Sequence, residues 1–122
     1  MRAVTPRIAC VALCASVLLG ACESTPPIYR WSEYEAVVYE AWKSPGGADP
    51  VAAAERLAED LRRTEAEGAQ APPGAHAHLG HLLLEGGDAA GAAAQFRAER
   101  DRFPESAALM DTLLDRLGAS RS

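Results

Sequence analysis

The sequence predicts an all-α domain of about five short helices folded as antiparallel helical hairpins. Three observations predict it. Apolar residues recur three and four positions apart, as one face of a helix requires. Glycine and proline punctuate the chain between those stretches, where helices must stop. Aspartates Asp49 and Asp88 stand where two of the stretches begin.

The clearest pair of helices lies in residues 76–104. Leu79, Leu82 and Leu83 follow helical spacing, and Ala77 and Gly80 are small enough to let another helix come close. Gly86-Gly87 suits a C-terminal cap, because glycine accepts positive φ without steric cost. Asp88 is positioned as the next N-cap, its carboxylate free to accept a backbone N–H. Ala89, Ala92, Phe96 and Phe103 then lie near one helical face, and Pro104 cannot continue that helix but can start another.

These offsets resemble the tetratricopeptide repeat. With Gly80 as the repeat's glycine, its leucine falls on Leu79, its alanine on Ala92, its phenylalanine on Phe96 and its proline on Pro104. Three positions depart from the pattern: His76 at the first bulky site, Leu83 at the mid-helix aromatic and Glu99 at the later alanine. An alanine-rich helical hairpin with no link to the repeat is the other reading. No second copy stands one repeat length away. The expected hairpin is 75–104, and 105–118 is the expected capping helix.

The N-terminus reads as a secretion signal. Arg2 and Arg7 precede an apolar run at residues 8–19, shorter than the roughly 20 residues of a permanent span. Leu19-Gly20-Ala21-Cys22 resembles a bacterial lipobox. Residues 1–21 are then a lipoprotein signal peptide, Cys22 the lipidation site and 22–28 a short tether. An ordinary secretory signal with an incidental cysteine is the alternative. Glu23, in place of an aspartate, favours the periplasmic face of the outer membrane. Of three cysteines, Cys10 and Cys14 leave with the signal, so no disulfide or thiolate metal site remains. The covalent lipid is the only expected cofactor.

The mature chain has the length of one small domain of about 100 residues. Cleavage takes two of the 12 basic side chains and none of the 17 acidic ones, for a net charge of about −7. That balance argues against nucleic acid and against a polybasic hold on anionic lipid.

Residues 29–43 hold all three tyrosines and both tryptophans: Tyr29, Trp31, Tyr34, Tyr39 and Trp42. Trp31, Tyr34, Val38 and Trp42 share a helical face. That stripe reads first as core, because aromatics bury large areas. It also reads as a partner-binding anchor at Tyr29, Trp31, Tyr34 and Trp42, with Tyr29 and Trp31 as the exposed end. Residues 44–47 form a loop, and Asp49-Pro50 looks like an N-cap and first helical position. Val51, Ala54, Leu57 and Leu61 face inward on a helix to about Glu67, which Gly68 ends. Residues 71–74 must turn or extend. Leu109, Leu113 and Leu117 mark the last helix, with Met110 and Leu114 beside the stripe. The single helical domain spans 29–118, and 119–122 is a polar tail.

Longer blocks carry a second resemblance. Tyr29-Arg30-Trp31 with Tyr34 and Tyr39, Ser44-Pro45-Gly46, residues 72–80, Phe103-Pro104-Glu105-Ser106 and Met110-Asp111 resemble a family of small bacterial lipoproteins, domain-of-unknown-function family 4810. Members tend to be encoded beside a curli-secretion-type lipoprotein. The resemblance therefore implies a role in an envelope assembly, with a curli-type secretion system as the candidate, and gives no catalytic residues. Ser32 departs from the family's frequent Gly, and Trp42 from its usual Tyr.

Candidate chemistry is limited to His76, His78 and His81. His78 and His81 share a face, whereas His76 points away, so structural histidines are favoured over a metal site. No nucleophile elbow, P-loop or HExxH pattern is present. Glu59-Asp60 and the charged run 97–102 read as solvated faces. The expected function is a non-enzymatic, lipid-anchored adaptor of an outer-membrane complex, with envelope proteins as partners. A pilotin-like chaperone that delivers a channel subunit is the alternative, and a small metal carrier using the histidines the third reading.

Overall fold

The computed structural model describes residues 25–119. The expected signal peptide, Cys22 and the next two residues of the expected tether lie outside the described residues, as does most of the polar tail. Five α-helices follow in order: α1 Ser32–Lys43, α2 Pro50–Ala66, α3 Ala75–Glu85, α4 Ala89–Arg102 and α5 Ala107–Ala119. A single 3-10 turn, Pro104–Ser106, leads into α5. The described residues contain no strand, so the fold is all-α.

The expected local signals set these boundaries. Asp49 accepts the Val51 N–H at 2.9 Å with Pro50 in the first helical position, so α2 starts at a side-chain cap. Asp88 does the same for α4 through the Gly91 N–H at 2.8 Å. Beyond α3, Gly87 takes a φ of +89° and the Asp88 N–H reaches back to the Leu83 carbonyl at 2.8 Å. Gly68, at φ +68°, closes α2 in the same way, with the Ala69 N–H on the Thr64 carbonyl at 3.0 Å.

Each helix packs on the next, α1 on α2, α2 on α3, α3 on α4 and α4 on α5. Neighbours run antiparallel: Ser32 and Glu40 of α1 meet Asp60 and Arg56 of α2 in reversed order, and His76 and Gly80 of α3 meet Gln95 and Ala92 of α4 likewise. The fold is thus two helical hairpins, α1–α2 and α3–α4, capped by α5. The first hairpin has no repeat signature in the sequence. It is recognised only by its packing.

The core has two lobes on either side of α3. One gathers Val37, Ala54, Leu57, Leu61, Leu79 and Leu82. The other gathers Ala92, Phe96 and Met110, and Leu83 packs against both. At the closest approach of α3 and α4, a Cβ on Gly80 would lie 2.6 Å from Phe96 Cε1. Only glycine fits there, which explains the Gly80–Phe96 pairing that the repeat pattern carries.

Two expected faces each lose their first residue to solvent. Val51 is 50% exposed, because α2 turns Ala53, Ala54, Leu57, Leu61 and Thr64 inward instead. Leu109 is 60% exposed, and α5 docks through Met110 with Leu113, Leu114 and Leu117. The rest of each expected stripe packs inward, Ala54, Leu57 and Leu61 on α2 and Leu113 and Leu117 on α5, so only the first residue of each stripe falls outside the core.

Candidate functional site

The aromatic helix α1 offers the candidate site. Its contact with the core is narrow: Val37 is 2% exposed, Tyr34 packs beside it, and little else on α1 reaches the interior. The core reading of the whole stripe is therefore overturned. Trp31 and Val38 are exposed, and Trp42 is the most exposed large apolar side chain at 79%. With 12 residues on one short contact line, α1 cannot bury both its Val37 edge and its aromatic edge against α2.

The exposed edge is concave. Trp31, Tyr34, Glu35, Val38, Tyr39 and Trp42 line a shallow groove of about 360 Å³. The Trp31 and Tyr34 rings stack with centroids 6.1 Å apart and planes 26° from parallel, which makes a flat floor at one end. At the other end Trp42 stands clear and the Lys43 ammonium sits 5.9 Å over the Tyr39 ring.

The four expected binding residues thus separate. Trp31, Tyr34 and Trp42 share the groove. Tyr29 does not line it, since its ring packs edge-on between Phe103 at 6.2 Å and the back of the groove at Trp31, 6.5 Å away. The segment before α1 is also held by the Arg30 N–H on the Gln70 carbonyl at 2.9 Å and by an Arg30–Glu67 ion pair. Tyr29 belongs to a strap that fixes α1 to the body, and the freest end of the surface is Trp42 rather than Tyr29 and Trp31. Val38, Tyr39 and Glu35 join the groove. Tyr39 is the fifth residue of a stripe whose helical spacing already included its neighbours.

Polar groups hold α1 in place. Asp60, expected on a solvated face, is only 4% exposed. Its carboxylate accepts the Ser32 hydroxyl at 2.7 and 2.8 Å and the Glu33 N–H at 3.3 Å. The first turn of α1 has no side-chain cap of its own, and a carboxylate from α2 supplies it. Glu99 does the same for α3. It is 2% exposed and accepts the Gly74 N–H at 2.6 Å and the Ala77 N–H at 3.3 Å. The solvated reading of both positions fails for the same reason: each acid is drawn inward by unsatisfied N–H groups at a helix start.

The histidines divide between two sides of α3. His76 is buried, with Nδ1 donating to Gln95 Oε1 of α4 at 2.8 Å. His78 packs against Tyr34 of α1 at 6.0 Å and against His81 at 6.3 Å. Burial first, then the neighbouring His81, hold the His78 ring below the ordinary histidine range, with Glu85 opposing. Burial and the Glu99 carboxylate push the Tyr34 hydroxyl up. Among the described residues no three His, Cys, Asp or Glu side chains converge on a metal position. No helix among them is long and apolar enough to cross a membrane.

A family model described as Domain of unknown function (DUF4810) matches residues 28–113. The chain belongs to this family. The DUF4810 match begins in the strap before α1 and ends within α5, so it takes in the aromatic groove, both hairpins and the two buried carboxylate caps. No curated protein and no solved structure matches the chain.

Proposed function

We propose that this DUF4810 protein is a lipid-anchored adaptor of an outer-membrane complex, binding an envelope protein through the aromatic groove of α1. The observation that carries this reading is the groove: two tryptophans and a tyrosine exposed on one edge of a helix whose other edge is locked to the core. Such rings are costly to leave in water, and they are the side chains that dominate protein interfaces. A rigid mount favours binding, because little order is lost when a partner docks.

The lipobox-like run ending at Cys22 supports a membrane address. Five residues lie between Cys22 and Ile28, which is a reach of roughly 20 Å at most, so the groove would be presented close to the bilayer. A component of a curli-type secretion system is the leading candidate for the partner. Carrying a channel subunit to the outer membrane, as a pilotin does, is the second use of the same groove and anchor.

The test is reciprocal purification of the lipidated protein and its partner from membranes, each recovering the other in fixed proportion. Trp42→Ala should abolish recovery while leaving helical content and melting temperature unchanged. Equal recovery by the variant removes the groove as the docking surface. Cys22→Ser should leave the partner in place if the protein is a static adaptor, and should misplace it if the protein is a carrier.

A further inference from the structure

The groove contains one side chain that apolar docking does not explain. Glu35 sits in the middle of its wall, one turn from Trp31 and one turn from Tyr39. The other acids of α1 are neutralised: Glu33 and Glu40 each bond Arg56 at 2.9 Å. Glu35 has no hydrogen-bond or ion-pair partner among the described residues. A lone carboxylate flanked by tryptophan and tyrosine faces is a poor lining for a lipid chain or for a purely apolar segment, because covering it would strip its water without return.

We propose that the occupant of the groove is an amphipathic partner segment with an arginine in its apolar face, the guanidinium pairing with Glu35 and lying on the aromatic rings. This rests on the docking reading above and names the chemistry of the partner. Three features fit. The stacked Trp31–Tyr34 pair gives a flat π surface at the Glu35 end. The Tyr39 ring already draws a cation, the Lys43 ammonium at 5.9 Å, so one ring of this groove presents its face to positive charge. Guanidinium combines a planar face for stacking with a fork matched to a carboxylate, which a lysine ammonium lacks. The apolar remainder of the segment would cover Val38 and Trp42.

The chain's only two tryptophans, Trp31 and Trp42, both line the groove, so intrinsic fluorescence reads its occupancy directly. The mature chain with Cys22→Ser is titrated with a short amphipathic Leu/Ala/Gln helical peptide bearing one arginine in its leucine face, and with the same peptide bearing citrulline. The arginine peptide should bind about fivefold more tightly, the sum of an exposed ion pair and a cation–π contact. Glu35→Gln and high salt should each erase that difference while leaving the citrulline peptide unaffected. Equal binding of the two peptides by the unmodified groove overturns the arginine inference and leaves apolar docking standing. Silence toward both peptides, with a blue shift on zwitterionic phosphatidylcholine vesicles, overturns it in favour of a bilayer surface. Loss of the membrane partner in the purification experiment is a separate outcome, since it tests whether a protein docks at all.

Discussion

The Ser32 hydroxyl of α1 donates to both oxygens of the Asp60 carboxylate of α2, at 2.7 and 2.8 Å, across 28 residues of sequence. This contact and the Glu33 N–H on the same carboxylate pin the start of the aromatic helix. Asp60→Ala removes the acceptor of three part-buried hydrogen bonds and leaves the Glu33 N–H at the helix start without its carboxylate. It should cost about 1–3 kcal/mol. Chemical denaturation measures that loss, and hydrogen exchange should place the faster opening in α1. Ser32→Ala removes only one donor and should cost less. Equal exchange in α1 for the wild type and Asp60→Ala would show that the Asp60 contacts do not hold α1.

Glu99 makes a sharper case, because the repeat pattern asks for alanine there. Alanine is the better helix former, and in an ordinary hairpin the change would be neutral or favourable. Here Glu99→Ala strands the Gly74 N–H, which the carboxylate accepts at 2.6 Å, and the Ala77 N–H. Destabilisation of about 1–3 kcal/mol is expected, with Glu99→Gln intermediate because it keeps an acceptor but not the charge. Melting curves of the three proteins should fall in that order. A more stable Glu99→Ala protein would mean that the capping bonds contribute nothing net.

Gly80 tests the contact between the two helices of the second hairpin. A methyl group there would meet Phe96 Cε1 at 2.6 Å, Phe96 Cδ1 at 2.8 Å and the Ala92 carbonyl oxygen at 3.2 Å. Gly80→Ala gains up to about 1 kcal/mol in helix propensity but forces the hairpin apart, for a net loss of about 1–3 kcal/mol. Adding Phe96→Leu makes room for the methyl group. The double variant should lose less than the two single changes together, and a thermodynamic cycle reads that coupling.

How much of this was legible beforehand depends on the range of each signal. Asp49, Asp88, Gly68 and Gly87 act within a few residues, and their positions in the sequence reported their roles. Gly80, Ala92 and Phe96 carried a known spacing, so the second hairpin and its close approach were readable. Asp60 and Glu99 were not, because their partners are 22 to 28 residues away and a buried acid looks like a surface acid until that partner is in place. The α1 face failed for another reason. Helical periodicity finds an apolar stripe but does not say whether the fold has a wall to cover it. Of the four aromatic candidates, Trp31, Tyr34 and Trp42 fall on one groove, while Tyr29 sits between Trp31 and Phe103, the latter 74 residues later in the chain and so invisible to helical spacing.

His78 should make the fold sensitive to mild acid. Its ring is held below the ordinary value by burial and by His81, so the neutral form is favoured in the folded chain. As pH falls through the free-histidine value of about 6.5, the unfolded chain takes up the proton first. The stability that comes from the neutral ring is complete above that value and declines as pH drops toward the lowered folded value. His78→Gln should flatten that part of the stability profile. His81→Asn should raise the His78 titration midpoint, read by NMR from the imidazole carbon-bound protons. An unmoved midpoint would assign the depression to burial alone.

Val37 and Trp42 separate the two edges of α1 most directly. Val37 is 2% exposed and packs in the lobe with Leu57 and Leu79, so Val37→Ala opens a cavity and should cost about 1.5–3 kcal/mol. Trp42 is 79% exposed, so Trp42→Ala should stay within about 0.5 kcal/mol despite removing a far larger side chain. The size of the side chain and the size of the effect are therefore expected to run in opposite directions. Paired urea titrations decide it. A large loss for Trp42→Ala would return the aromatic stripe to the core, and the groove would then be a packing surface with nothing left to offer a partner.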